Sequence, residues 1–380
     1  MRTTTQLSAL LLLVFGLAAG CVWVSPAERK EMRALRTDAD KDAAQAESAL
    51  AATARTEALL TVARLQDARR GHEELVVLSR HADPVVRAAA TRAIGLVAEH
   101  DAGAVLVQLL EDPDAGVVAE AAFAVSQVEH FRATDGERAA MTARIEEALV
   151  VELDDCRRDV RWGDGGRPEV CRVVIRSLGA MGGEAANGVL WDALSKGIQP
   201  VDLQRAVPVA LAVQARAGRG KPITGEQLSY LAPLLIQSDN PAQWAGAYLL
   251  AKGEVAEQAV PGARDLLSLA WSRAGGDTAR VWILLALGAV GGDRAREIVG
   301  GVLADPAAPV RDQVAALRAS RSLDVAPLVV QRLAQTTSDT VRAEALGALA
   351  ADPVPAEVFV WLDAYLGGEA LAPPVVVASA

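Results

Sequence analysis

Val86-Arg87-Ala88-Ala89-Ala90-Thr91-Arg92-Ala93-Ile94-Gly95 and Val117-Val118-Ala119-Glu120-Ala121-Ala122-Phe123-Ala124-Val125-Ser126 lie 31 residues apart and share one pattern. Apolar side chains recur at i, i+4, i+7 and i+8, the spacing of one stripe on an α-helix. The segment before each obeys the same shift, with Leu75 over Leu106 and Leu78 over Leu109. The period returns near the C-terminus, where Arg280, Arg311 and Arg342 are spaced by 31, as are Ile283, Val314 and Ala345, and Ala286, Leu317 and Ala348. A fixed period of this length is the signature of a stacked repeat. One helix hairpin cannot bury its apolar face alone, whereas stacked copies can.

The turn inside each unit is also legible. Asp83-Pro84, Asp112-Pro113 and Asp305-Pro306 each follow an apolar stretch. Proline disfavours helix in the residue before it and suits the first turn of the next helix, and the aspartate can cap that helix by accepting backbone N–H bonds. Between about 130 and 240 the period survives only loosely. Val170 to Gly179 resembles a second helix, as does Trp244 to Leu250, but longer loops are expected at 130–137, 159–168 and 218–225.

These residues resemble the HEAT repeat family, in particular its short phycobilin-lyase-type repeats, whose mark is a turn aspartate followed by Val-Arg at the head of the second helix. The resemblance covers roughly residues 59–366. It implies an all-α fold, a right-handed α-solenoid of HEAT-like helix pairs with an irregular middle section. It also implies an Asp/Arg ladder between adjacent repeats, drawn from Asp83, Arg87, Asp277, Arg280, Arg311, Asp339 and Arg342; the second repeat departs from it, with Val118 in the arginine position.

The N-terminus is of another kind. Arg2 precedes an apolar run from Leu7 to Leu17, and Ala18-Ala19-Gly20 leads to Cys21. The run is too short for a comfortable membrane span and has the layout of a secretory signal. Ending at Gly-Cys, it resembles a bacterial lipobox, with Ala18 where leucine is usual. The resemblance implies lipidation of Cys21, against ordinary cleavage elsewhere. Val22 after the cysteine favours the outer membrane facing the periplasm. From Val22 to about Arg55 the chain is polar, a helical stalk or a disordered tether. The expected organisation is 1–20 signal peptide, 21–56 anchor and tether, 57–130 N-terminal repeats, 131–255 irregular repeats with an insert, 256–370 C-terminal repeats and 371–380 tail.

Cys156 and Cys171 bracket an insert that interrupts the period. With Cys21 lipidated the remaining count is even, which in an exported protein favours a disulfide over two buried thiols.

The search for chemistry excludes more than it finds. A net charge of −10 argues against a binder of nucleic-acid backbones. No HExxH spacing joins His72, His81, His100 and His130, which read as solvated surface residues, and the cysteine spacing fits no zinc pattern. The glycine pairs at 182–183, 275–276 and 291–292 fit helix ends rather than phosphate cradles. The reading is therefore no enzyme, no catalytic residue, no metal, no cofactor and no small-molecule substrate. The expected function is a membrane-anchored scaffold that binds protein partners in the cell envelope. Its possible partner patch is the apolar column Val281, Leu285 and Gly288, on a face expected to be free. An alternative comes from Ala63 to Arg70, which look like the start of the HEAT region in bacterial lipoproteins fused to a cyclophilin. That likeness implies an envelope folding factor, here lacking the catalytic domain, since no Phe-His-Arg-Val or Gln-Gly-Gly-Asp motif occurs.

Overall fold

Alanine, leucine and valine at helical spacing, punctuated by Asp, Pro and Gly, leave the backbone one economical way to satisfy its hydrogen bonds, and the described residues are helical almost throughout. The computed structural model describes residues 26–158, 168–197 and 201–350. The signal-like segment, Cys21, most of the Cys156–Cys171 insert, residues 351–370 and the 371–380 tail lie outside the described residues.

Contacts divide the chain into two units, Met1–Thr61 and Val62–Ala380. The first is built on helix α1 (Pro26–Ala68), whose side chains from 45 to 57 are exposed. Its polar composition takes the helical of the two forms open to it. The apolar stripe begins where the spacing predicts, with Val62 buried and Leu65 half-buried in the second unit.

That second unit is a solenoid of helix pairs. In order they are α2 (His72–Leu78) with α3 (Pro84–Val97), α4 (Ala102–Leu109) with α5 (Ala115–Val125), and α6 (Asp135–Arg158) with α7 (Pro168–Met181). Then come α8 (Glu184–Ser195) with α9 (Val201–Arg216), α10 (Gly225–Ile236) with α11 (Gln243–Lys252), and α12 (Val260–Ser272) with α13 (Asp277–Val290). The last are α14 (Asp293–Ala304) with α15 (Val310–Ser320) and α16 (Ala326–Gln335) with α17 (Asp339–Leu349). The second helices pack on one another in unbroken succession from α3 to α17, and the first helices form a looser parallel layer from α4 to α16. The core runs between the two layers. Leu75, Leu106, Val86, Val117, Ile94 and Val125 are all fully buried, which is what their shared period demands.

The middle keeps this alternation although its sequence period slips. The slippage has local causes. Helix α6 is 24 residues long. Between α9 and α10 the chain detours far enough for Ile223 to pair with Val255, donating to the Glu254 carbonyl at 2.8 Å and accepting from the Ala256 N–H at 2.9 Å. The expected loop at 130–137 is shorter than its composition suggests, because Thr134 and Glu137 cap α6 reciprocally. The Thr134 N–H donates to the Glu137 carboxylate at 2.9 Å, and the Glu137 N–H donates back to the Thr134 hydroxyl at 3.4 Å.

The Asp-Pro turns are not all alike. Asp83 does cap α3, accepting from the Val85 N–H at 2.9 Å, with Pro84 in the first turn. At the second turn the cap is Asp114, which accepts from Gly116 at 2.8 Å, and Asp112 is released for other work. At the third, Asp305 accepts from the Ala307 N–H at 2.9 Å and α15 starts only at Val310. One signal thus marks three turns of different length.

Successive second helices approach closely at glycine. A Cβ on Gly95 would stand 2.5 Å from that of Ala124, and one on Gly288 would stand 2.7 Å from the Ala319 Cα. No side chain fits such a seam, so the pair Gly/Ala sets the spacing of the stack.

Candidate binding face

A second helix in this stack is flanked by its own first helix, by the second helices before and after it and, more lightly, by the first helix that follows. Only one narrow sector stays open. On α9 the open stripe is Arg205, Val209, Val213 and Arg216; on α11 it is Trp244, Tyr248 and Lys252; on α13 it is Trp282, Leu285 and Ala289. Each set steps by three or four residues, as one face of a helix must.

Three aromatic rings meet in this sector. Tyr248 and Trp282 stand edge to face with centroids 4.6 Å apart, and Trp244 lies 6.5 Å from Tyr248. The Lys252 ammonium sits 5.7 Å from the Trp282 ring centroid. All three rings are half-buried, their inner edges packed on the core and the rest open. Only 4% of the chain is aromatic, so this clustering on an uncovered face is a concentrated feature. Nearer the N-terminus the same face holds a cleft of about 440 Å³, lined by Arg92, Glu120, Phe123, Val173 and Arg176, with Arg92 5.5 Å from the Phe123 centroid.

The patch expected at Val281, Leu285 and Gly288 needs correction. Gly288 is buried at the seam with Ala319, and Val281 packs partly on the core. Leu285 belongs to the open stripe, and Val281 is half-buried at its edge, as Trp282 is. The expected column was drawn opposite the core stripe as if a second helix had one neighbour, whereas flanking second helices cover most of that side. Trp282, one residue along, was missed. Its signal was available, since Trp244 and Tyr248 are spaced i, i+4 in an aromatic-poor chain.

The ladder residues are placed as follows. Arg87 reaches the next turn and grips Asp112 with both Nε and Nη2 at 2.9 Å, while its Nη1 donates to the His81 carbonyl at 3.0 Å. The Asp112 hydrogen bonds push the Arg87 guanidinium pKa up. Arg280 likewise reaches forward, its Nε 2.7 Å from the buried Asp312, and stacks 4.1 Å above the Trp271 ring. Arg311 reaches back to Asp277, and Arg342 pairs with Asp339 of its own helix at 2.7 Å. The rungs therefore run through Asp277, which the expected set held with Arg311, and through Asp112 and Asp312, which it omitted; Asp83 is taken up in capping α3.

Cys156 on α6 and Cys171 on α7 are joined by a disulfide with Cα atoms 5.8 Å apart. It closes the insert and ties the two helices of the third pair. The reading of four solvated histidines is corrected in part: His100 and His130 are exposed, but the His72 side chain is only 10% exposed and lies 2.9 Å from Asp101, and His81 accepts from the Asp83 N–H at 3.0 Å. Among the described residues no group of three or more His, Cys, Asp or Glu could hold a metal ion, and no helix is long and apolar enough to cross a membrane.

Residues 72–161 match the HEAT repeats family. They span α2 to the end of α6, the stretch in which the 31-residue pattern was first visible. No curated protein matches the chain. Among solved structures, an engineered protein is similar over 76% of this chain and 90% of its own, at 20% identity and a TM-score of 0.37. Human deoxyhypusine hydroxylase in complex with glycerol is similar over 77% of this chain and 97% of its own, at 18% identity and a TM-score of 0.30.

Proposed function

We propose that this chain is a protein-binding scaffold whose contact surface is the open face of its second helices, held at the cell envelope by a lipid on Cys21. The observation that carries the binding reading is the half-exposed cluster of Trp244, Tyr248 and Trp282. Partly buried aromatic rings anchored on a rigid helix layer are the usual energetic centre of an interface. HEAT repeats commonly serve as interaction scaffolds, and function in a solenoid resides on exposed columns rather than in a catalytic cleft.

Photo-crosslinking from position 285, at the edge of the aromatic cluster, tests this reading. In cells it should trap a discrete protein adduct, and Trp282→Ala should remove that adduct while leaving expression unchanged. Position 60, exposed on α1, serves as the control. Equal crosslinking from both sites, indifferent to Trp282, would refute the binding face.

The anchoring reading rests on the run from Leu7 to Leu17 and on Gly20-Cys21. Acyl chains on Cys21 would supply the attachment, since each buried CH₂ contributes roughly 0.8 kcal/mol. Cys21→Ser should move the protein from the membrane fraction to the soluble one. A Cys21→Ser protein that sediments with membranes as fully as the wild type would rule the anchor out.

A further inference from the structure

The two helix layers carry opposite charge. The second helices hold eleven Lys or Arg against seven Asp or Glu, and the first helices hold eight against fifteen. In a chain of net charge −10 the second-helix layer is thus the basic one. Part of the excess lies on the helices that carry or adjoin the aromatic cluster. Lys252 on α11 has the Trp282 ring as its contact, and Arg216 on α9 has no carboxylate partner among the described residues. On the far side Arg318 of α15 and Arg321 just after it share a single acid, Glu344. The hydrogen bond from Arg318 holds the Glu344 carboxyl below its ordinary range, so at neutral pH one negative charge faces two positive ones. Helix α11 itself carries no acid at all.

From this juxtaposition we infer that the partner of the open face is an acidic, extended protein segment carrying an aromatic or proline anchor. The inference rests on the binding reading above and adds the chemistry of what binds. The rings supply an apolar floor for one or two side chains; the rim of Arg216, Lys252, Arg318 and Arg321 supplies four cations for carboxylates on either side. A segment in extended or polyproline form suits a floor of closely set aromatic rings, and its pre-ordered backbone limits the entropy lost on docking. A nucleic acid fits less well. Tyr248 and Trp282 meet edge to face, so each is partly covered by the other rather than presented as an open stacking platform, and seven acids interrupt the layer.

The full chain is panned against a displayed library of random 12-residue peptides, and selected peptides are measured against variants. The expected winners carry a net negative charge and at least one Trp, Tyr, Phe or Pro. Their affinity should fall at least tenfold with Trp282→Ala. It should fall at least tenfold with Lys252→Glu, an exposed substitution that leaves the core untouched, and should weaken severalfold when salt rises from about 50 to 500 mM. Three results would overturn the inference. Winners that are neutral or basic but still need Trp282 would remove the acidic partner and leave the binding face standing. Winners indifferent to Trp282 would remove both. An oligothymidine of 20 nucleotides that displaces the peptides and binds more tightly, in a Lys252-dependent way, would make the face a nucleic-acid surface instead.

Discussion

Leu317→Ala should cost about 2–5 kcal/mol, and the loss should stay local. Leu317 is fully buried on α15, at the register shared by Ala286 and Ala348. Truncation leaves a cavity lined by helices of its own and adjacent pairs, which relax only in part. In a globular core such a defect lowers the stability of the whole. Here α15 packs on α13 and α17 among the second helices and on α14 beside it, with no contact to α3 or α5. Stability is then a sum of repeat and neighbour terms, and damage spreads only as far as nearest-neighbour coupling carries it. Amide exchange should quicken over about 277–350, while residues 75–126 keep their protection. A uniform loss of protection from α3 to α17 would show a single cooperative core and defeat this account.

Breaking the Cys156–Cys171 disulfide should cost roughly 3 kcal/mol for a 15-residue separation in the chain-entropy account. Cys171 is buried in α7 and Cys156 packs on the core from α6, so the bridge fixes the third pair across its insert. Protein made in an oxidising compartment and denatured without reductant should therefore titrate neither thiol. Cys171→Ser should lower the midpoint of the unfolding step that involves α6 to α9. Because this site and Leu317 share no partner, the double variant should show the two costs added within about 0.5 kcal/mol. A Cys171→Ser protein as stable as the wild type, or two free thiols, would contradict the bridge.

The two defects together also separate the segments of the solenoid. Both would act on regions joined through α9, α11 and α13, where the aromatic cluster sits. A scaffold of this kind can lose protection at one end and still present Trp244, Tyr248 and Trp282 in the middle. Partner adducts from position 285 should accordingly survive Cys171→Ser better than Leu317→Ala, because α13 adjoins α15 directly and α7 only through two intervening second helices.

What the sequence determined by itself was the unit. A 31-residue spacing of Val86 with Val117, and of Ile283, Val314 and Ala345, points to a repeated helix with one buried stripe, since within each copy the apolar residues recur at i, i+4, i+7 and i+8. The disulfide partners were legible too, because setting aside Cys21, the expected lipidation site, leaves two of the three cysteines to pair. What only the tertiary structure decided was which residues remain outside once the units are stacked. Gly288 reads as open on a lone helix and is buried because the next second helix, α15, packs against it at Ala319. Asp112 and Asp312 joined Asp277 as ladder acids for a similar reason: their arginine partners lie 25 and 32 residues away, a relation that spacing within one unit cannot express. The aromatic face belongs to the same class. Tyr248 and Trp282 are separate marks in the sequence and one surface in the fold, because the stack sets successive second helices side by side.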